Sequence, residues 1–257
     1  MAFTRKKRSY GTDTGSPVKE AETIYFTHLP KTGGTSLEKT LFRKVFSTEE
    51  IYQPRGYWAM LSDQRSFRYL GGHRPYGVHR LSTQVSSPRY YTMLRDPVER
   101  AISFYYECLW PRGNKKVADH PEHATTWRHD LVDFYRISRF RNVQARMLAG
   151  LWADVLGRYV SLDQIGMGAV VTTAAKRHLS EMYAAFGITE RFEESRQWIA
   201  GSLGVDVAPI GGKHKTNPDR PTAEDLSENQ RITLRRLNRL DVEIYEFASD
   251  LFDRRLP

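Results

Sequence analysis

Hydrophobic and polar positions divide this chain into short apolar runs, each followed by an amphipathic stretch. "TIYFTHL" (residues 23–29) is nearly apolar and rich in β-branched and aromatic residues, the pattern of a strand buried on both faces of a parallel sheet. After a glycine pair, Leu37, Leu41 and Val45 recur at i, i+4 and i+8, with Lys39, Arg43 and Lys44 elsewhere around the wheel, which predicts a helix. The same grammar returns at "RYYTMLRDPVERAISFYYECLW". Here an apolar strand spans 90–94, Asp96 reads as N-cap and Pro97 as the first helical residue, and Val98, Ala101, Ile102, Tyr105, Cys108 and Leu109 mark one helical face.

A third strand is read at 67–73. Downstream, 141–150 and 174–186 read as helices, 184–190 as a further strand and 191–203 as another helix. Thr222–Asp225 gives a helix start, and Leu237, Leu240, Ile244, Phe247 and Leu251 carry one stripe toward the C-terminus. Strands alternating with helices predict a three-layer α/β fold, a central parallel sheet with helices on both faces. No repeat or low-complexity tract follows the first twenty residues, so the reading is a flexible basic tail over 1–20 and a single domain over 21–257.

Charge narrows the partners. Thirty-nine Lys and Arg against 30 Asp and Glu leave +9, which favours anions such as nucleotides, sulfated or phosphorylated sugars, nucleic acid or a membrane surface without choosing among them. The single Cys108 excludes an internal disulfide framework and a multi-cysteine metal site. No apolar segment follows the basic run at 5–8, and nowhere is there the run of about 18 apolar residues that a membrane helix needs, so the mature chain is expected to be soluble.

The turn after the first strand carries the sharpest chemistry. A turn from a buried strand into a helix presents unpaired backbone N–H groups and the positive end of the helix dipole, an anion site. Gly33 and Gly34 let the backbone approach a ligand, Thr32, Thr35 and Ser36 offer hydroxyls, and Lys31 adds a full charge. The Walker A order G-x-x-x-x-G-K-[ST] is absent, because the lysine precedes the glycines.

"HLPKTGGTS", followed further along by "YTMLRDPVERAISFYYE", resembles the sulfotransferases that use 3′-phosphoadenosine 5′-phosphosulfate (PAPS), in particular the carbohydrate branch with the heparan sulfate 2-O- and 6-O-sulfotransferases. The resemblance implies a P-loop-like sulfotransferase fold and a 5′-phosphosulfate loop in which Lys31 contacts the bridging oxygen while Thr32, Gly33, Gly34, Thr35 and Ser36 line the site. It implies 3′-phosphate contacts from Arg95 and Ser103, and His73, between the two motifs, as the general base that removes the acceptor's proton. His79 is the rival base, Glu38 and Glu99 are minor candidates, and His28 stands where the 2-O enzymes have a basic nucleotide contact.

Three further segments resemble the family: "NVQARMLAG" its Gln-containing helix, "GITERFEES" a recurrent late segment, and "GGKHKTNPDRP" its basic nucleotide-covering loop. From that loop Lys213, His214, Lys215 and Thr216 would close over the phosphate or ribose. Arg55, Trp58, Arg68 and Arg74 are acceptor candidates, since sugars stack on aromatic rings and anionic sugars pair with arginine. The expected reaction takes PAPS as donor, releases the bisphosphate PAP and uses no metal. The expected partner is a hydroxyl-bearing glycan or glycosylated small molecule and not nucleic acid, with the oligomeric state open. The anchor typical of Golgi relatives is missing, so a cytoplasmic setting is expected.

Two other functions stay open on the residues alone. One is a P-loop kinase or NTPase with a displaced lysine, which lacks both G-K-[ST] and an evident strand-end Asp for Mg²⁺. The other is a non-catalytic polyanion-binding protein held to its ligand by net charge, whose affinity would fall steeply with salt.

Overall fold

The computed structural model of the protein describes residues 22–54, 56–82, 84–85, 87–109, 121–210 and 220–256. The expected tail over 1–20 lies outside the described residues, as do Arg55, Lys213, His214, Lys215 and Thr216.

Five strands form one parallel sheet: β1 (Ile24–Thr27), β2 (Ile51–Tyr52), β3 (Tyr69–Leu70), β4 (Arg89–Leu94) and β5 (Tyr183–Ile188), in the spatial order β2-β3-β1-β4-β5. Side chains alternate across it. Tyr25, Tyr90, Leu94, Tyr183, Phe186 and Ile188 enter one core, and Ile24, Phe26, Tyr91, Met93 and Ala185 enter the other. Both faces are therefore covered, and this is why β1 reads as an unbroken apolar run.

Helix α1 opens at Gly34–Leu37, widens into a π-type turn at Glu38–Phe42 and closes at Arg43–Val45. Leu37, Leu41 and Phe42 cover the second core together with Ile199 and Ala200 of α5 (Phe192–Ser202). The first core is covered by α3 (Val143–Ala149), α4 (Gly168–Glu181) and α7 (Arg239–Arg255). Helix α2 (Pro97–Leu109) buries Val98, Ala101, Ile102 and Tyr105 in a third cluster, which Leu234 of α6 (Glu228–Leu237) joins. The predicted three-layer α/β arrangement is what the chain forms.

Boundaries moved for local reasons. The strands expected at 23–29 and 67–73 contract to four and two residues. The helix expected over 174–186 starts earlier, at Gly168, and ends at Glu181, because 183–188 pairs with β4 as a strand. The single C-terminal stripe is two helices broken at the buried Asn238, whose side chain bonds Leu234 O and Asn142 N. A second capping box at Ser227, after the one at Thr222, starts α6. Strand β2 and the helices Tyr57–Ser62 and Leu151–Gly157 have no counterpart in the pattern reading.

Strand order positions the site. β1 has β3 on one side and β4 on the other, so connections leave it in opposite directions and open a crevice at its carboxyl end. The turn at 28–34, His73 after β3 and Arg95 after β4 all lie at that end of the sheet.

Candidate functional site

The turn after β1 combines two left-handed residues, Lys31 at φ 67° and Gly33 at φ 78°. Such alternation aims successive N–H groups at one point and forms a nest for an anion. Among the described residues, no hydrogen-bond partner is found for the backbone N–H groups of Lys31, Thr32, Gly33, Gly34 and Thr35, while Ser36 N and Leu37 N bond Gly33 O at 3.0 and 3.1 Å. Gly34 is required for a different reason: a Cβ there would lie 2.4 Å from the His28 imidazole. Thr32 is fully buried and its hydroxyl donates to Leu29 O at 2.9 Å, so toward a ligand it offers its N–H rather than its hydroxyl.

The ammonium of Lys31 pairs with Glu107 on α2. Burial pushes the Lys31 pKa down to about 8, and the neighbouring charges of Arg95 and Arg220 act in the same direction. Ser103 lies one turn before Glu107 on α2, so the two share a helix face.

Arg95 follows directly on β4. Its backbone N–H donates not to a strand but to Gln144 Oε1 at 3.0 Å, and Gln144 Nε2 returns a bond to Arg95 O at 2.9 Å. Asp96 caps α2 as expected, its Oδ1 accepting from Val98 N and Glu99 N, both at 2.9 Å. The Arg95 guanidinium reaches Lys31 O at 3.4 Å and Glu99 Oε2 at 3.0 Å. Glu99 also takes Arg220 Nη2 at 3.1 Å and Ala223 N at 2.7 Å, which draws the two guanidinium groups together. Burial, with the charge of Arg220, lowers the Arg95 pKa from its ordinary value. Arg95 Nε and Arg220 Nη1 are buried without a hydrogen-bond partner, beside an open cavity of about 580 Å³ that both residues line with Val98, Thr222, Arg231 and Arg235.

On the other side of the turn, His73 Nδ1 lies 2.7 Å from His28 O, and the two imidazoles pack at 4.4 Å between centroids. A carbonyl only accepts, so Nδ1 carries the proton and Nε2 keeps its lone pair; among the described residues Nε2 has no partner. His73 is exposed at the rim on one edge and crowded by protein on the other. That crowding, with His28 adding to it, pushes its pKa down to about 4, an effect that water at the exposed edge moderates. His28 is held in turn by Glu38, whose Oε1 sits 3.6 Å from His28 Nδ1 and accepts from Tyr69 OH at 2.9 Å and Gln53 Nε2 at 3.1 Å. Burial alone would raise the Glu38 pKa, but the interaction with His28 and the Tyr69 hydroxyl hold it below the usual value.

Other candidates separate. His79 is buried in the first core, its Nδ1 bonded to Tyr90 OH. Arg68 stands at the amino end of β3, at the opposite edge of the sheet from the turn, and pairs with Glu50 at 2.9 Å. Arg74 donates to Pro54 O and lies over the Tyr57 ring at 5.4 Å, while the neighbouring Trp58 is 83% exposed. The residue-by-residue reading singled out neither Arg220, the last basic residue of the late loop, nor Gln144. It also missed Thr189, whose hydroxyl lies 2.7 Å from both Thr32 O and Leu94 O and ties the first turn to the end of β4.

No family model matches the chain. It is 26% identical to the heparan-sulfate 6-O-sulfotransferase 3-B of Danio rerio over 98% of its own length and 69% of that protein's. It is 25% identical to heparan-sulfate 6-O-sulfotransferase 3 of Mus musculus over 93% of the chain and 59% of the relative, and 27% identical to heparan-sulfate 6-O-sulfotransferase 1 of Homo sapiens over 93% and 67%. The expected cytoplasmic setting does not stand beside these relatives, because heparan-sulfate 6-O-sulfotransferases are Golgi lumenal enzymes. That expectation rested on a missing anchor, and a missing segment carries no information about compartment. Among the described residues, no helix is long and apolar enough to cross a membrane. The likeness first carried by two turns thus runs over nearly the whole chain, and the family it resembles is that of the PAPS-dependent carbohydrate sulfotransferases.

Proposed function

We propose that the protein is an O-sulfotransferase that moves the sulfuryl group of PAPS to a hydroxyl of a carbohydrate acceptor, of the heparan-sulfate kind that its relatives' names give. One observation carries the reading. A lysine-bearing nest of unpaired N–H groups stands at the sheet's switch point, with an imidazole that keeps a lone pair on one side and two paired guanidinium groups on the other.

The residues suit a nucleotide with anionic groups at both ends. Arg220 Nη1 is buried without a hydrogen-bond partner and Arg95 Nε has only Glu190 Oε1 at 3.9 Å, donors of the kind a 3′-phosphate satisfies, and the left-handed turn at Lys31 and Gly33 turns its N–H groups toward the 5′ end. When bound, PAPS supplies an activated sulfuryl group and a stable bisphosphate leaving group. Lys31 and the N–H groups of 31–35 then stabilise the charge on the departing phosphate, by preorganised dipoles that need no reorganisation. Arg95, Arg220 and Ser103 fix the other end of the nucleotide, and so aim the first. The His73 Nε2 lone pair accepts the proton of the attacking hydroxyl, while His28 O keeps the ring in the tautomer this requires. Arg74 and Trp58 are acceptor contacts in this reading, and residues 21–257 act as one domain.

Calorimetric titration with PAP, set against Mg-ATP at two salt concentrations, tests the donor site. Stoichiometric, metal-independent binding of PAP is the expected outcome. A preference for Mg-ATP, or diffuse binding that vanishes with salt, would overturn it. Transfer of labelled sulfate from PAPS to desulfated heparan chains, against unsulfated neutral glycans, tests the acceptor class.

A further inference from the structure

Strand β4 pairs with β5 as far as Leu94 and Ile188, so the peptide of Arg95 is the first beyond the ladder. Its N–H and C=O would be left without strand partners at a position where a misplaced backbone swings a long side chain. The amide of Gln144 takes both, accepting from Arg95 N at 3.0 Å and donating to Arg95 O at 2.9 Å. Gln144 is fully buried, so these two bonds are shielded from water and their geometry is set by α3 rather than by solvent.

Helix α3 is itself anchored. Asn142, in the left-handed region at φ 52°, accepts through Oδ1 from Leu240 N at 3.0 Å, and its own N donates to Asn238 Oδ1 at 3.1 Å. Ala145 N donates to Asp241 Oδ1 at 2.8 Å, and Asp241 faces the buried Arg100 of α2 at 3.6 Å. The amino ends of α3 and α7 therefore cap each other, a device that fixes the height of Gln144 relative to the sheet.

We infer that Gln144 is a positioning residue for Arg95: its side-chain amide stands in for the missing neighbouring strand and holds the Arg95 backbone where the guanidinium meets the phosphate group that distinguishes PAP from 5′-AMP. This rests on the reading of Arg95 as a 3′-phosphate ligand. A purely structural Gln144 would change stability and both ligands alike; a positioning Gln144 changes the discrimination between them.

The experiment is calorimetric titration of PAP and of 5′-AMP into the wild-type protein, Arg95→Ala and Gln144→Met, the last keeping side-chain length and losing both hydrogen bonds. Wild type is expected to prefer PAP; Gln144→Met is expected to lose about tenfold of that preference, with 5′-AMP affinity unchanged. Full preference in Gln144→Met beside a lost preference in Arg95→Ala would overturn the positioning role and leave the phosphate reading intact. Full preference in Arg95→Ala would overturn both. Should Gln144→Met lose 5′-AMP as well, the same pair of titrations on Gln144→Glu, which keeps an acceptor for Arg95 N, loses the donor to Arg95 O and adds a carboxylate beside it, decides: undiminished preference overturns the proposal.

Discussion

His73 and His79 are six residues apart, both are neutral at physiological pH, and burial pushes the pKa of each down to about 4. Their surroundings divide them. His73 gives its Nδ1 proton to His28 O beside the glycine turn and keeps Nε2 free among the described residues, whereas His79 binds Tyr90 OH through Nδ1 inside the first core. A depressed pKa therefore identifies neither as functional. What separates a base from a structural imidazole is whether a nitrogen lone pair remains and whether it borders a place where a substrate can stand.

The largest break in this pair is expected from alanine at each position. His73→Ala is expected to lower kcat by about 10²–10⁴-fold, with PAP affinity in calorimetry nearly unchanged. His79→Ala is expected to lower the melting temperature and leave kcat per folded molecule intact. Activity lost in His79→Ala and kept in His73→Ala would exchange the two roles. A smaller break comes from Gly34→Ala. The new Cβ would meet the His28 ring at 2.4 Å, and that ring is hemmed in by Phe26 and His73, so His28 has to move and take the carbonyl that orients His73 with it. A loss of about 10²-fold in kcat/KM is expected, measured beside a melt that separates it from unfolding.

The histidine pair also shows where sequence reading stops. The two strand–turn–helix units, the Asp96 cap and the three layers were legible, because apolar runs, glycines and capping residues act over a few positions. The roles of His73 and His79 were separable only by resemblance, since pattern does not tell which ring ends in the core. The resemblance marked the late basic loop and the Gln-containing helix, but what Arg220 and Gln144 bind was unreadable for a related reason. Their partners are Glu99 and Arg95, 121 and 49 residues away, and nothing local in the sequence marks such a meeting. Strand β2 is two residues long, too short for a periodicity to register.

Acid should pull the two histidines apart as well. Each is held neutral by the fold, so each contributes stability that is complete above the unfolded pKa of about 6.5 and is lost as pH falls from there toward about 4. As the proposed base, His73 must also be neutral to act, so the acidic limb of kcat/KM is expected well below 6.5, approaching 4. His79→Gln is expected to flatten the stability profile between those limits and leave the limb of kcat/KM where it was. A limb that moves with His79 would tie catalysis to the core histidine.

The smallest effect sharpens the structural half of the comparison. Tyr90 OH receives Gly77 N at 3.2 Å and meets His79 Nδ1, so Tyr90→Phe leaves two polar groups in the first core without their partner while keeping the ring that packs on Tyr25 at 4.9 Å. A cost of about 1–3 kcal/mol in denaturant unfolding follows from that, since a buried polar group that loses its partner retains its desolvation penalty. kcat should not change, because the hydroxyl belongs to the core under the sheet and the proposed chemistry to the turn at its carboxyl edge. A fall in kcat larger than the fall in stability would mean that the His79–Tyr90 pair reaches the reacting hydroxyl, and the division between the two imidazoles would no longer hold.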